Sequence, residues 1–146
     1  MTEETTSAAD ALRSEHQGRR VLVAEDDTLT RALLIELLAG AGLEVDGAAN
    51  GVEAVAMAAR AQYDLILMDV RMEKMDGLRA AHAIRLLPGC AETPIIAMSG
   101  NSLAEDRDAA QLAGMSDYLT KPARPDALFA VVLQWLERGR REDAPS

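Results

Sequence analysis

The chain has 146 residues, of which 49% are hydrophobic and only 3% aromatic, and its formal net charge is −9. This length fits one domain with short tails and a full core built from Leu, Val, Ile, Met and Ala, which excludes disorder over most of it. The acidic balance argues against nucleic acid as a partner, no apolar run reaches the length of a membrane span, and the single Cys90 excludes an internal disulfide and a cysteine-rich metal site. The polar, acidic start has no signal-peptide pattern, so the expected localisation is cytoplasmic.

Residues 1–18 carry Thr, Ser, Glu and Ala without periodicity and read as a flexible tail. Arg20 to Ala24 reads as a first buried strand that ends in Glu25-Asp26-Asp27. A helix is expected from about Thr28 to Ala39, with Leu29, Leu33, Leu34, Leu37 and Leu38 at helical spacing. Asp27 or Thr28 can cap it, and Gly40 and Gly42 stop it. Leu43 to Ala48 alternates like a strand nearer an edge. Asn50 and Glu53 resemble a capping box for an Ala-rich helix to about Ala61.

Leu65 to Met68 is a short branched apolar run ending in a carboxylate, Asp69, and Asp76-Gly77 then signals a turn and a helix to Leu87. Pro88 and Gly89 end that helix. Pro94 to Met98 is a fourth strand closed by Ser99, and Ser102 with Glu105 resembles a second capping box, for a helix to about Ala113. Ser116 to Thr120 is a short fifth strand, followed by Lys121-Pro122. Pro125 opens a last helix to about Arg138, with Leu128, Val132, Trp135 and Leu136 as its core stripe, and 139–146 read as a flexible carboxy-terminal tail. The domain proper is thus 19–138. Five strand–helix alternations predict an α/β, flavodoxin-like, doubly wound five-stranded parallel sheet.

In such a fold polar residues gather at the carboxyl ends of the strands, where ligands bind. With strand order 2-1-3-4-5, Glu25, Asp26 and Asp69 share one small site. Two like charges about 4 Å apart repel by roughly 4 kcal/mol at an effective dielectric near 20, so three carboxylates need a compensating cation. Lys121 is one candidate and a hard divalent ion, Mg²⁺ above all, is the other. A carboxylate can also act as a covalent nucleophile towards phosphoryl groups, and metal, ammonium and hydroxyl together suit a transferring phosphoryl group. His16 and His82 have no carboxylate or cysteine at a spacing that makes a ligand set.

Four stretches, VLVAEDD, LILMDVRMEKMDG, PIIAMSGN and YLTKP, each closing a strand, resemble those of response-regulator receiver domains, in family order and spacing over roughly Arg20 to Arg138. The later part is similar in flavour to receivers of hybrid histidine kinases and stand-alone regulators. The resemblance implies a two-component phosphoacceptor module in which Asp69 is phosphorylated by a histidine kinase or histidine phosphotransfer protein. It implies Mg²⁺ held by Asp26 and Asp69, by Glu25 through water, and by the backbone carbonyl of Arg71. Ser99 would hold a phosphoryl oxygen, Lys121 would pair with the phosphoryl group, and Tyr118 would be the aromatic switch. Phosphorylation would then repack the surface of the fourth helix, fifth strand and fifth helix, around Ala104, Arg107 and Asp108, and change the preference for a downstream partner or a homodimer. A cis peptide at Lys121–Pro122 is a further implication.

The chain departs from the family pattern at three places. Glu25 stands where Asp is commoner, Arg71 where a smaller polar residue is usual, and Glu73 where proline is usual. The Arg71 guanidinium is a candidate to reach the phosphoryl group or Glu25 and to alter phosphoryl lifetime. The rival readings are a degenerate receiver acting without phosphorylation, an aspartyl-phosphate phosphatase and a flavodoxin-like cofactor carrier. The phosphatase class needs a second Asp at position 71, and the carboxylates of Asp26 and Asp27 would repel a flavin phosphate. The reading is therefore of a signalling module whose only chemistry is phosphotransfer to Asp69 and slow autodephosphorylation, with no nucleic acid and no membrane as partner.

Overall fold

A computed structural model describes residues 7–72, 74–100, 104–121 and 123–143, the side chains of 104–106 and 140–143 excepted. In chain order the elements are α1 (Ala8–Glu15), β1 (Arg20–Ala24), α2 (Thr28–Gly40), β2 (Glu44–Ala48), α3 (Gly51–Arg60), β3 (Leu65–Asp69), α4 (Gly77–Arg85), β4 (Ile95–Ser99), α5 (Ala104–Leu112), β5 (Asp117–Thr120) and α6 (Pro125–Asp143). The strands form one parallel sheet in the order β2-β1-β3-β4-β5, as the alternation predicts.

The sheet has a core on each face, because successive strand residues point to opposite sides. Leu22, Ala24, Ile66, Met68, Ile95 and Ala97 pack with Ala54, Ala58, Ala80, Ile84 and Ala110 of α3, α4 and α5. Val21, Val23, Leu65, Leu67, Ile96 and Met98 pack with Leu34, Leu38, Leu128, Val132 and Leu136 of α2 and α6. Every residue of β3 and β4 is buried, as befits central strands covered on both sides.

The caps follow the sequence. Asp27 accepts the Thr30 N–H at 2.8 Å and Asp76 accepts the Arg79 N–H at 2.9 Å. Asn50 accepts the Glu53 N–H at 2.9 Å, while the Glu53 carboxylate reaches the N–H of Ala49, one residue outside the cap, at 2.9 Å. At the opposite, amino edge of the sheet, Arg85 gathers four acceptors. Its guanidinium donates to the carbonyls of Gly114 (2.9 Å), Cys90 (2.9 Å) and Thr93 (2.6 Å) and to Ser116 Oγ (3.3 Å).

Three expectations are corrected. Residues 8–15, read as part of a flexible tail, form α1, with Ser7 as N-cap accepting the Asp10 N–H at 3.1 Å. Its single fully buried side chain, Leu12, enters the core beside Leu38 and Leu136. One apolar anchor leaves no periodicity to read. The last helix likewise runs past Arg138 to Asp143. On α2, Leu34 and Leu38 face the core, but Leu29 and Leu33 are 81% and 55% exposed. Glu73, Ser102 and Pro122 lie outside the described residues, and with them the loop effect at 73, the second capping box and the peptide at Lys121–Pro122. No described helix is long and apolar enough to cross a membrane.

Candidate functional site

The parallel register carries the polar strand ends to one edge. Ala24 pairs with Met68, Asp69 with Met98, and Ser99 with Thr120, so Glu25, Asp69, Ser99 and Lys121 leave neighbouring strands side by side. Carboxylate oxygens of Glu25, Asp26 and Asp69 all lie within 4.8 Å of one another. Glu25 is fully buried, Asp69 nearly so, and Asp26 half-buried.

Lys121 answers this charge. Its Nζ donates to Glu25 Oε1 at 2.8 Å and to Asp69 Oδ2 at 3.2 Å. Burial by itself pushes the Lys121 ammonium down, but hydrogen bonds and charge from Glu25 and Asp69 outweigh it and hold the group above its ordinary value. The other oxygen of each carboxylate is held from the backbone. Glu25 Oε2 accepts the Asp27 N–H at 3.0 Å, and Asp69 Oδ1 accepts the Arg71 N–H at 3.2 Å.

The remaining site residues divide. Ser99 is buried at the end of β4, and its carbonyl accepts the Lys121 N–H at 2.7 Å. Tyr118 is half-buried on β5, with the guanidinium carbon of Arg107 5.2 Å from its ring centroid. Arg71 is exposed and meets the cluster through its backbone N–H. Arg107 and Asp108 are exposed on α5, and Ala104 opens that helix.

Two supports went unread in the sequence. Arg31, one turn into α2, donates to the Glu25 carbonyl at 2.7 Å and fixes the backbone of the acidic pair. Gly77 starts α4 against Asp69, where a Cβ would overlap the Asp69 carbonyl. Its N–H donates to the Val70 carbonyl at 2.8 Å, which folds the loop after Asp69 back onto the strand. The Asp76-Gly77 pair signalled a helix start, but not this close approach.

The donor set of the cluster is all oxygen and carries three negative charges, which fits a hard divalent cation such as Mg²⁺. Beside Lys121 a cavity of about 370 Å³ is lined by Thr30, Leu33, Leu34, Met98, Lys121 and Ala123. It joins the site to the exposed Leu33 of α2.

Residues 21–133 match the sequence profile of the response regulator receiver domain. Two-component system protein A of Emericella nidulans is 38% identical over 133 residues, covering 89% of this chain and 19% of that protein. Sensor protein GacS of Pseudomonas syringae is 36% identical over 129 residues, covering 86% of this chain and 14% of that one. The chain thus spans less than a fifth of these curated relatives. Among solved structures, the receiver domain of sensor histidine kinase PA1611 from Pseudomonas aeruginosa has a TM-score of 0.78 and 36% identity, covering 82% of this chain and 98% of that one, and it holds a magnesium ion in its active-site cleft. With this profile match over most of its length and this sheet order, the chain belongs to the response regulator receiver domains, the signalling modules of two-component systems that histidine kinases phosphorylate.

Proposed function

We propose that this chain is a phosphoacceptor switch, with Asp69 taking a phosphoryl group from a phosphohistidine on a partner histidine kinase or phosphotransfer protein. The observation that carries this reading is the meeting of a buried Asp69 with Lys121 at 3.2 Å and with Glu25 and Asp26 inside one 4.8 Å cluster. A carboxylate oxygen of Asp69 attacks the phosphorus, the O–P bond forms as the N–P bond breaks, and the electron pair leaves with the imidazole. Lys121 already donates to Asp69, so a phosphoryl oxygen there falls within reach of its ammonium.

Asp26 and Asp69, with Glu25 acting through water and the Arg71 carbonyl, would hold Mg²⁺, which supplies charge neutralisation on the phosphoryl oxygens when bound. Ser99, at the end of the strand next to that of Asp69, would hold a phosphoryl oxygen, and Tyr118 would follow it inward. That repacking shifts the population of conformers at α5, β5 and α6, and with it the preference for a downstream partner or a second copy. The exposed Leu29 and Leu33 and the adjoining cavity suit an apolar partner helix beside the donor histidine. The complete acidic cluster and its lysine argue against a degenerate receiver, and the exposed Arg71 offers no second acid for a phosphatase.

Intact mass after incubation with acetyl phosphate tests the reading. The expected result is a single Mg²⁺-dependent phosphoryl adduct that disappears in Asp69→Asn. An adduct that persists in Asp69→Asn overturns the assignment of the acceptor.

A further inference from the structure

Helix α1 and the last turns of α6 lie outside the receiver match of residues 21–133. There α1 packs against α6, and three side chains of metal-ligand type converge: Glu15 and His16 at the end of α1, and Glu137 on α6. One ligand atom of each lies within 4.8 Å of the other two. His16 is 1% exposed, Glu137 is half-buried and Glu15 exposed, so the cluster has a buried nitrogen at its back and opens to solvent between the carboxylates. The sequence gives no hint of this, because Glu137 lies far along the chain from His16.

We propose that Glu15, His16 and Glu137 form a second metal site, for a borderline divalent ion of the zinc type, that pins α1 to the carboxy-terminal half of α6. The ligand chemistry separates it from the acidic cluster at Asp69. Hard ions such as Mg²⁺ take oxygen ligands, whereas an imidazole nitrogen with two carboxylates suits Zn²⁺ and its neighbours. Three protein ligands leave a position for water. The helix it would fasten needs fastening. An eight-residue helix is marginal by itself, and the contacts that dock α1 include its buried Leu12 and the bond from Arg13 Nε to the Gly40 carbonyl at 3.0 Å. An ion bridging both helices contributes its binding free energy to that docking. The competing reading is a proton in place of the metal, an imidazolium set between two carboxylates.

The test is Zn²⁺ titration of the full chain by calorimetry in Mg²⁺-saturated buffer, in an Asp26→Asn background that weakens the other site. Co²⁺ absorption serves as a second probe. One Zn²⁺ per chain is expected, raising the melting temperature, with affinity falling about tenfold or more in Glu137→Gln and in Glu15→Gln. Because His16→Ala removes a buried ring and can undock α1 by itself, the two carboxylate variants carry the decision. Absence of Zn²⁺ binding, or binding unchanged in both variants, overturns the proposal and leaves the imidazolium pair. No phosphate enters the measurement, so its outcome is independent of the reading of Asp69.

Discussion

Lys121 Nζ stands 2.8 Å from Oε1 of Glu25, a carboxylate with no exposure to solvent. The lysine is the one cation among the described residues whose side chain forms ion pairs within the cluster, and it bridges to Asp69 as well. Removing it strands a buried charge. Lys121→Met is expected to lower stability in Mg²⁺-free buffer by about 2 kcal/mol, with much of the loss recovered on adding Mg²⁺. Asp26→Asn should act in the opposite sense, raising Mg²⁺-free stability by about 1 kcal/mol through relief of repulsion while abolishing the stabilisation by Mg²⁺. Urea denaturation with and without Mg²⁺ measures both, and equal Mg²⁺ responses in the parent and Asp26→Asn count against the metal assignment.

Tyr63 gives a prediction at alkaline pH. Burial first, then its hydrogen bond to Asp46 Oδ2 at 2.6 Å and that carboxylate's charge, push its phenol up from an ordinary 10.0 to about 12. Folding thus favours the protonated phenol. The stability this contributes is complete below pH 10.0 and is lost as pH rises towards about 12. Lys121 adds a loss of the same sign, since its raised value also favours the protonated form in the fold. Ultraviolet titration of a Tyr118→Phe variant follows Tyr63 alone. Asp46→Asn should bring its ionisation down, and a Tyr63 that ionises near 10.0 in the folded parent refutes the coupling.

Gly77 faces the carbonyl of Asp69 so closely that a methyl group has no room. The obstacle is backbone at the end of a fully buried strand, so it cannot swing aside as a long side chain would. Gly77→Ala should cost about 2 kcal/mol and weaken Mg²⁺ binding together. The paired readout is thermal unfolding and Mg²⁺ titration, and a variant with parental values for both would show that the strand end yields freely.

Leu12 is completely buried between helices at the two ends of the chain. Leu12→Ala should destabilise by about 3 kcal/mol if α1 unfolds together with the sheet. Chemical denaturation should stay a single transition. A cost below about 0.5 kcal/mol would mean that α1 adds nothing to the cooperative unit.

Much of the fold was legible because β1, β3 and β4 are short apolar runs that lead into a polar residue, and most connections carry a cap or a breaker. Asp27, Asn50 and Asp76 cap helices at the positions their residue types suggest. The juxtaposition of Glu25, Asp26, Asp69 and Lys121 followed from strand order, which the alternation of elements restricts. What could not be read depends on distance in space. Leu29 and Leu33 carry the same spacing as Leu34 and Leu38, and only the sheet decides which stripe is covered. The bond from Arg31 to the Glu25 carbonyl and the contact of Gly77 with Asp69 leave no pattern along the chain. Nor does α1, which has a single buried apolar side chain, Leu12.

Arg85 sets the mechanics of the molecule. By binding the Cys90, Thr93 and Gly114 carbonyls and Ser116 Oγ, it rivets the segments entering β4 and β5 into one block behind the sheet. Both strands are therefore anchored at their rear ends, while their front ends pair at Ser99 and Thr120 beside the site. A displacement imposed at the front is then expected to be smallest at the Arg85 anchor and largest towards the outer surface of α5 and β5.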